Sequence, residues 1–305
     1  KVLFNQFHDI IPGTGYAHVH AEAAEDYREA TRAAGEVCRR AGYRIAQAVP
    51  VDPAGGCQVV ILNSLGPGRT AWVEGELNLG VTPAEAEGRD WRAVDPAGRK
   101  SPIHLELVKN AQNRWFRWRA GFLAKNLPAL GWRTYRIVPK SGRGKSAAPV
   151  VRRRGWEFDT GALRVRFDSR TGQIRSLALC SGRGRIAVGP LGGWRIFEEG
   201  KYGLDYGQEM RAWYLGLTGR SFVPRRASLT CAPAVGGWRV TAAHTFGRSR
   251  FEQEFTLRAG EVGLDVRVTV DWQETEMLAR LMFDVAGLGH PLTGWRDGPF
   301  QVAEL

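Results

Sequence analysis

With 305 residues, 43% of them hydrophobic and 24% charged, the chain has the balance of a soluble globular protein with room for about two or three compact units, and no apolar run approaches the roughly 20 residues of a membrane span. A formal charge of +12 raises the question of nucleic acid, but only seven of the 43 basic residues are lysine and the arginines are spread along the whole sequence. A bias towards Arg, Ala and Gly explains this more simply than a phosphate-tracking groove, so neither nucleic acid nor a membrane is expected as a partner.

The chain opens on Lys1-Val2-Leu3-Phe4, which reads like the tail of a buried strand or helix, with no leader or tag before it. His8 and Asp9 then stand side by side between Phe7 and Ile10, and an apolar stretch rarely holds an unpaired charge without cause. Ile10-Ile11-Pro12-Gly13-Thr14-Gly15 predicts a rigid turn into a helix starting near Tyr16. Over residues 16–49, Tyr27, Ala34, Val37, Ala41, Ile45 and Ala48 recur at three- or four-residue steps, and Pro50 ends the run. Gly35 and Gly42 each weaken such a helix by about 1 kcal/mol relative to Ala, so packing must hold it, against other helices that this chain does not supply. Glu22, Glu25 and Asp26 read as an acidic first turn favoured by the helix dipole. His18-Val19-His20 imitates a metal pair, but rings two residues apart on a helix diverge. His18 is read as solvated and His20 as packed or hydrogen-bonded.

From Cys57 onward the period changes to two. CQVVILN, TAWVEGEL, PIHLELV and RTYRIV predict strands separated by Gly, Pro and Asp turns. Residues 140–154 have linker composition and include the basic cluster Arg152-Arg153-Arg154, while Arg114-Trp115-Phe116-Arg117-Trp118-Arg119 interleaves bases and aromatics. A second β series follows, with Leu163, Val165 and Phe167 alternating with Arg164 and Arg166, and FEQEFTLR and LDVRVTVDW repeating the pattern. One apolar and one charged face suit large antiparallel sheets packed face to face. The predicted fold class is therefore α+β and multi-domain: an N-terminal helical segment followed by mainly antiparallel β-sandwich domains, with no βαβ alternation. Cys38, Cys57, Cys180 and Cys231 match no CxxC zinc or redox spacing, and a reducing, cytoplasmic setting is the default reading.

His8-Asp9 is the strongest candidate for chemistry. A neutral imidazole can bind a divalent metal, and a neighbouring carboxylate can bind the metal or a sugar hydroxyl. On spacing alone the alternative, a His–Asp hydrogen bond closing a domain seam, is the reading an isolated dipeptide favours. Phe197-Glu198-Glu199-Gly200-Lys201-Tyr202-Gly203-Leu204-Asp205-Tyr206 has the acids and aromatics of a sugar-facing loop, although a loop tying the sandwich together explains most of it. The acids of Asp271-Trp272-Gln273-Glu274 read as structural. Phosphate loops, nucleophilic triads and dinucleotide fingerprints have no counterpart here.

In order, NQFHDIIPGTG and VHAEAAEDY, then VVILNSLGPGR, LPALGWRTYRIVP, WEFDTGALRVRFDSRTGQIRSL, FGRSRFEQEFTLRAG and VDWQETEMLARLMFDV resemble glycoside hydrolase family 38, the zinc-dependent α-mannosidases. The resemblance implies three parts. Residues 1–50 would be the end of the catalytic region plus a helix of the middle helical bundle. Residues 51–140 would be a small β-sandwich domain, and 150–305 an incomplete, large galactose-mutarotase-like β-sandwich. Residue by residue, His8 matches a zinc ligand (metal: His8) and Asp9 the acid that contacts the bound sugar (substrate-binding: Asp9). The implied activity is retaining hydrolysis of terminal α-linked mannose, with a mannose-containing carbohydrate as substrate and zinc as cofactor. The nucleophile, the acid/base and the other zinc ligands would lie upstream of residue 1, so the isolated chain is expected to be inactive. Arg211-Ala212-Trp213 stands where the family has Asp-Ala-Trp, and Gly15 where a Ser is common. The rival expectation is a non-catalytic carbohydrate-binding or scaffolding β-sandwich protein. A homo-oligomer is compatible with either.

Overall fold

The computed structural model describes residues 1–52, 55–86, 89–109, 116–140, 150–181, 185–200, 216–224, 226–283, 293–295 and 302–304. The chain divides into two compact units, Lys1–Pro53 with Phe197–Ser221 and Glu276–Leu278, and the remainder.

In the first unit a 3-10 turn (Phe4–Gln6) leads through successive tight turns into helix α1 (Ala17–Ala48), with Tyr16 as its extended N-cap. Gly13 supplies the left-handed φ of +83° that this entry requires. The segment before the helix is tied back onto it. Buried Asn5 donates to Asp26 (3.2 Å), the Tyr27 hydroxyl donates to the Asn5 carbonyl (3.1 Å), and Lys1 pairs with Asp26 at 2.7 Å. Two expectations need correction. Val2, Leu3 and Phe4, expected to be buried, are exposed in this structure. Because α1 starts at Ala17, Glu22, Glu25 and Asp26 lie beyond its first turn, and Asp26 serves as the anchor for Lys1 and Asn5 instead of meeting the dipole. The predicted stripe is amphipathic but largely open: Ala23 is the one buried residue of α1, while Val37 and Tyr43 are exposed.

The second unit starts with six antiparallel strands. β1 (Cys57–Asn63), β2 (Arg69–Leu77), β3 (Trp91–Val94), β4 (Lys100–Lys109), β5 (Phe116–Leu127) and β6 (Gly131–Pro139) pair in the order β1-β6-β3-β4-β5-β2. Residues of both edge strands, Val59 and Ile61 on β1 and Ala71 and Val73 on β2, pack against one core built on Trp91, Ile103, Trp118, Phe122, Tyr135 and Ile137. A sheet whose two edges reach the same core has to curl, and twist accommodates that. β5 was not anticipated. Its interleaved bases and aromatics are a period-two strand, with Trp118, Ala120 and Phe122 buried and Arg117 and Arg119 on the other face. The short helix α2 (Pro83–Ala86) was also missed. It has a reciprocal capping box, in which the Thr82 backbone N–H donates to Glu85 (2.8 Å) and the Glu85 N–H to the Thr82 hydroxyl (3.3 Å).

Two sheets then face each other. β7 (Arg152–Arg154), β8 (Glu157–Asp159), β9 (Leu163–Phe167), β10 (Ile174–Leu179), β11 (Arg185–Glu199) and β12 (Leu217–Phe222) form one in sequence order, with β17 (Met277–Phe283) also on β11. β13 (Ser228–Ala234), β14 (Gly237–Phe246), β15 (Ser249–Arg258) and β16 (Asp265–Asp271) form the other, and β18 (Thr293–Trp295) pairs with β19 (Val302–Glu304). Phe158, Val165, Phe167 and Ile174 from the first sheet meet Val240, Phe255 and Leu257 from the second in a fully buried core. Among the described residues the chain is thus an α+β protein of one long helix and antiparallel β-sandwich modules.

The sandwich corrects two further readings. Arg152-Arg153-Arg154 is not linker but strand β7, and the Arg153 guanidinium lies 5.1 Å from the centre of the Trp238 ring and 5.6 Å from that of Trp156. β16 alternates as predicted, yet Val266, Val268 and Val270 are exposed, so its apolar face is not core. Between the two β modules, the Trp72 ring lies against Gly121 and Gly236, where any Cβ would overlap it; only glycine fits.

Candidate functional site

His8 and Asp9 sit on the turns between the 3-10 element and α1. The Asp9 carbonyl accepts hydrogen bonds from the backbone N–H of Thr14 (3.0 Å) and Gly15 (3.1 Å), which closes the loop. One carboxylate oxygen, Oδ1, accepts from the Thr14 hydroxyl at 3.0 Å. The other, Oδ2, lies 3.6 Å from His8 Nε2, and the Phe7 ring packs 4.1 Å from the imidazole, centre to centre. Both side chains face outward, at 63% exposure for His8 and 49% for Asp9. At that exposure the pair is not buried, and the premise of a buried, unpaired charge is wrong for this structure. The pair is held in place by its turn and presented to solvent.

Around the turn, His20 approaches Gly15: a Cβ there would come 3.3 Å from His20 Nε2 and 3.6 Å from the Asp9 carbonyl. A side chain at position 15 would therefore crowd the His20 ring and meet the Asp9 carbonyl at ordinary van der Waals distance. His20 Nε2 is buried with no hydrogen-bond partner among the described residues, while His18 is exposed and stacks on Tyr16 at 5.9 Å. His18 follows the expectation. His20 is packed but not hydrogen-bonded through that nitrogen.

Among the described residues no three His, Cys, Asp or Glu side chains gather closely enough to hold a metal ion. His8 and Asp9 offer two donors on an exposed turn, so these residues do not by themselves fit a closed zinc site, which takes three or four ligands.

The remaining candidates have structural places or lie outside the described residues. Of the stretch Phe197–Tyr206, Phe197–Glu199 belong to β11, where Glu198 accepts from the Thr218 hydroxyl (2.8 Å) and Arg220 (2.9 Å); Lys201–Tyr206 and Arg211-Ala212-Trp213 are outside the described residues. Glu274 accepts from the Arg248 N–H (2.7 Å) and from the Ser249 N–H and hydroxyl, and those bonds hold its carboxyl below the usual range. Cys38, Cys57, Cys180 and Cys231 are all free thiols. No helix among the described residues is long and apolar enough to cross a membrane.

A helix with an exposed His-Asp turn at its head, followed by antiparallel sandwich modules, is the arrangement to be matched. Residues 1–45 match the α-mannosidase middle domain, and residues 158–290 the C-terminal domain of the family 38 glycosyl hydrolases. Together these regions take in more than half of the chain, and the chain belongs to glycoside hydrolase family 38 through them. Among solved structures it is similar to an α-mannosidase from Enterococcus faecalis V583, with a TM-score of 0.60 and 13% identity over 92% of this chain. A second structure, a family 38 glycosyl hydrolase protein from Enterococcus faecalis, gives 0.57 and 12% over 90%. This chain spans 37% and 38% of their respective lengths. A search of the curated proteins found no match.

Proposed function

We propose that the chain is the middle-helix and β-domain part of a retaining, zinc-dependent α-mannosidase that removes terminal α-linked mannose from oligosaccharides or mannosides. The observation that carries this reading is the pair of matched regions, middle domain and then C-terminal domain, in that order along one chain. The domain division at 1–50, 51–140 and 150–305 and a cytoplasmic location belong to the same proposal.

In this reading His8 supplies one imidazole donor to a zinc site whose other ligands come from the catalytic domain, and Asp9 accepts a hydroxyl of the bound mannose. A zinc ion so held would fix ring hydroxyls of the sugar. What this chain contributes is position. The bonds of Thr14 and Gly15 to the Asp9 carbonyl, and of the Thr14 hydroxyl to Oδ1, hold the turn that carries both side chains.

The test is hydrolysis of an aryl α-mannoside by the longest gene product that carries this chain. Turnover should stop with a zinc chelator and fall at least about a hundredfold in His8→Ala, as expected for loss of a metal ligand. The 305-residue chain alone should be inactive. If the longest product binds mannosides yet never hydrolyses them, the non-catalytic carbohydrate-binding reading replaces this one.

A further inference from the structure

Strand β16 (Asp265–Asp271) is the last strand of its four-stranded sheet, and among the described residues no strand pairs with its outer edge. An antiparallel edge strand turns alternate backbone N–H and C=O groups outward, which makes it a template for one more strand. Folds guard such edges, and two others in the sandwich are guarded. β7 is three residues long and carries only arginine, and β13 holds Pro233. β16 has no such device. It is seven residues long without Lys, Pro or Gly, and it pairs with β15 in unbroken register from Asp265 to Asp271.

Its two faces differ. Val266, Val268 and Val270 are 39%, 40% and 44% exposed, on the face they share with Phe255, Gln253 and Phe251 of β15. Trp272 continues that face, its ring 6.0 Å from Phe251, centre to centre. The other face carries Asp265, Arg267, Thr269 and Asp271, all exposed. Arg267 reaches Glu254 of β15 only at 3.9 Å.

We propose that β16 is the contact strand of a twofold dimer of this chain, in which two β16 strands pair antiparallel with Thr269 opposite Thr269 and the two four-stranded sheets continue as one of eight. The sequence of the strand selects both the second copy and the register. Read against its own reverse about Thr269, it sets Arg267 opposite Asp271 twice on one face. On the other face it sets Val268 opposite Val270 and Val266 opposite Trp272, each twice. Neighbouring registers lose this match. A slip of one residue sets Arg267 opposite Val270 or Trp272, which mixes the two faces. Slips of two residues set Asp265 opposite Asp271 or Arg267 opposite Gln273. The proposal does not depend on the mannosidase reading, since no residue of the His8 turn takes part.

The test is sedimentation velocity on the 305-residue chain and on the longest gene product that carries it, from about 1 to 100 µM, where a weak dimer forms and dissociates. Both should show a dimer that grows with concentration. Arg267→Asp and Asp271→Arg, each at an exposed position, set like charges opposite one another and should raise the dissociation constant at least about tenfold. Mixed one to one, these two variants should associate again, because each supplies the charge that the other lacks. Melting curves establish that each is folded. Should either fail to fold, Thr269→Lys takes its place, since it sets two cations opposite each other on the twofold axis and should also abolish the dimer. The proposal is overturned if the unmodified chain stays monomeric over this range, if a variant dimerises as tightly as the unmodified chain, or if the mixture does not recover association. A longest gene product that stays monomeric overturns it too, and assigns the edge to another segment of the same chain.

Discussion

Helix α1 and strand β15 are both amphipathic in sequence, and the structure treats them in opposite ways. β15 buries every second residue from Ser249 to Leu257, with Phe251, Gln253, Phe255 and Leu257 packed against the facing sheet. α1 buries Ala23 and leaves Val37 at 67% exposure. An apolar stripe states what a segment needs but not where the partner is. The sandwich carries its own partner, because successive hairpins bring β13 to β16 into one sheet opposite β8 to β10. The first unit holds its helix mainly by polar ties at one end, Lys1 and Asn5 to Asp26 and Tyr27 to Asn5.

This contrast can be broken by mutation. The largest effect is expected in the sandwich core, where Phe255 packs edge-on against Phe167 with ring centres 5.1 Å apart. Phe255→Ala should cost about 3–5 kcal/mol in chemical denaturation, and a loss below about 1 kcal/mol would show that the sandwich core is not close-packed there. Asn63 comes next. It is buried, donates to the carbonyls of Pro67 (3.0 Å) and Pro128 (2.7 Å), and accepts from the Leu65 N–H (3.2 Å). Asn63→Ala should cost about 2 kcal/mol, since several buried groups lose their partner at once.

A smaller effect should appear with pH. Burial holds His244 below the usual imidazole range, partly opposed by its bond to the Thr171 carbonyl, and burial does the same to His104. A folded pKa below the unfolded value means that the unfolded chain takes up the proton first. Stability is then complete above the unfolded pKa of about 6.5 and declines as pH falls from there through the folded values. Melting temperature measured from pH 8 to pH 5 should drop, and less steeply in His244→Gln. The smallest effects belong to α1 and its turn. Val37→Ala and His8→Ala should each shift stability of the chain by less than about 0.5 kcal/mol, because both side chains are exposed. A large destabilisation by His8→Ala would mark that residue as a structural seam after all and weaken its assignment as a donor.

Much of the fold was legible. The predicted helix of residues 16–49 is α1 within a residue at either end, and CQVVILN is β1. The misses have physical reasons. β5 was hidden because arginines on its outer face made a strand look like a basic, aromatic patch. β7 was hidden because a three-residue edge strand carries no periodicity, and its Arg153 gains its meaning from Trp156 and Trp238, the latter far away in sequence. For α2 a signal existed, Thr82-Pro83-Ala84-Glu85, a capping box with proline at its first helical position. At the candidate site the sequence singles out His8 and Asp9 but not their exposure. FHDII reads as apolar, yet Phe7 and Ile11 are exposed along with the pair between them.

By itself the sequence determined the order of modules, the period of each segment and the identity of the His8-Asp9 turn, because periodicity and turn chemistry are local. Only the tertiary structure decided which apolar faces became core and which remained open. It also brought Trp91 and Trp118 together around one cavity, since burial is a property of pairs of elements and sheet curling joins residues that no local pattern connects.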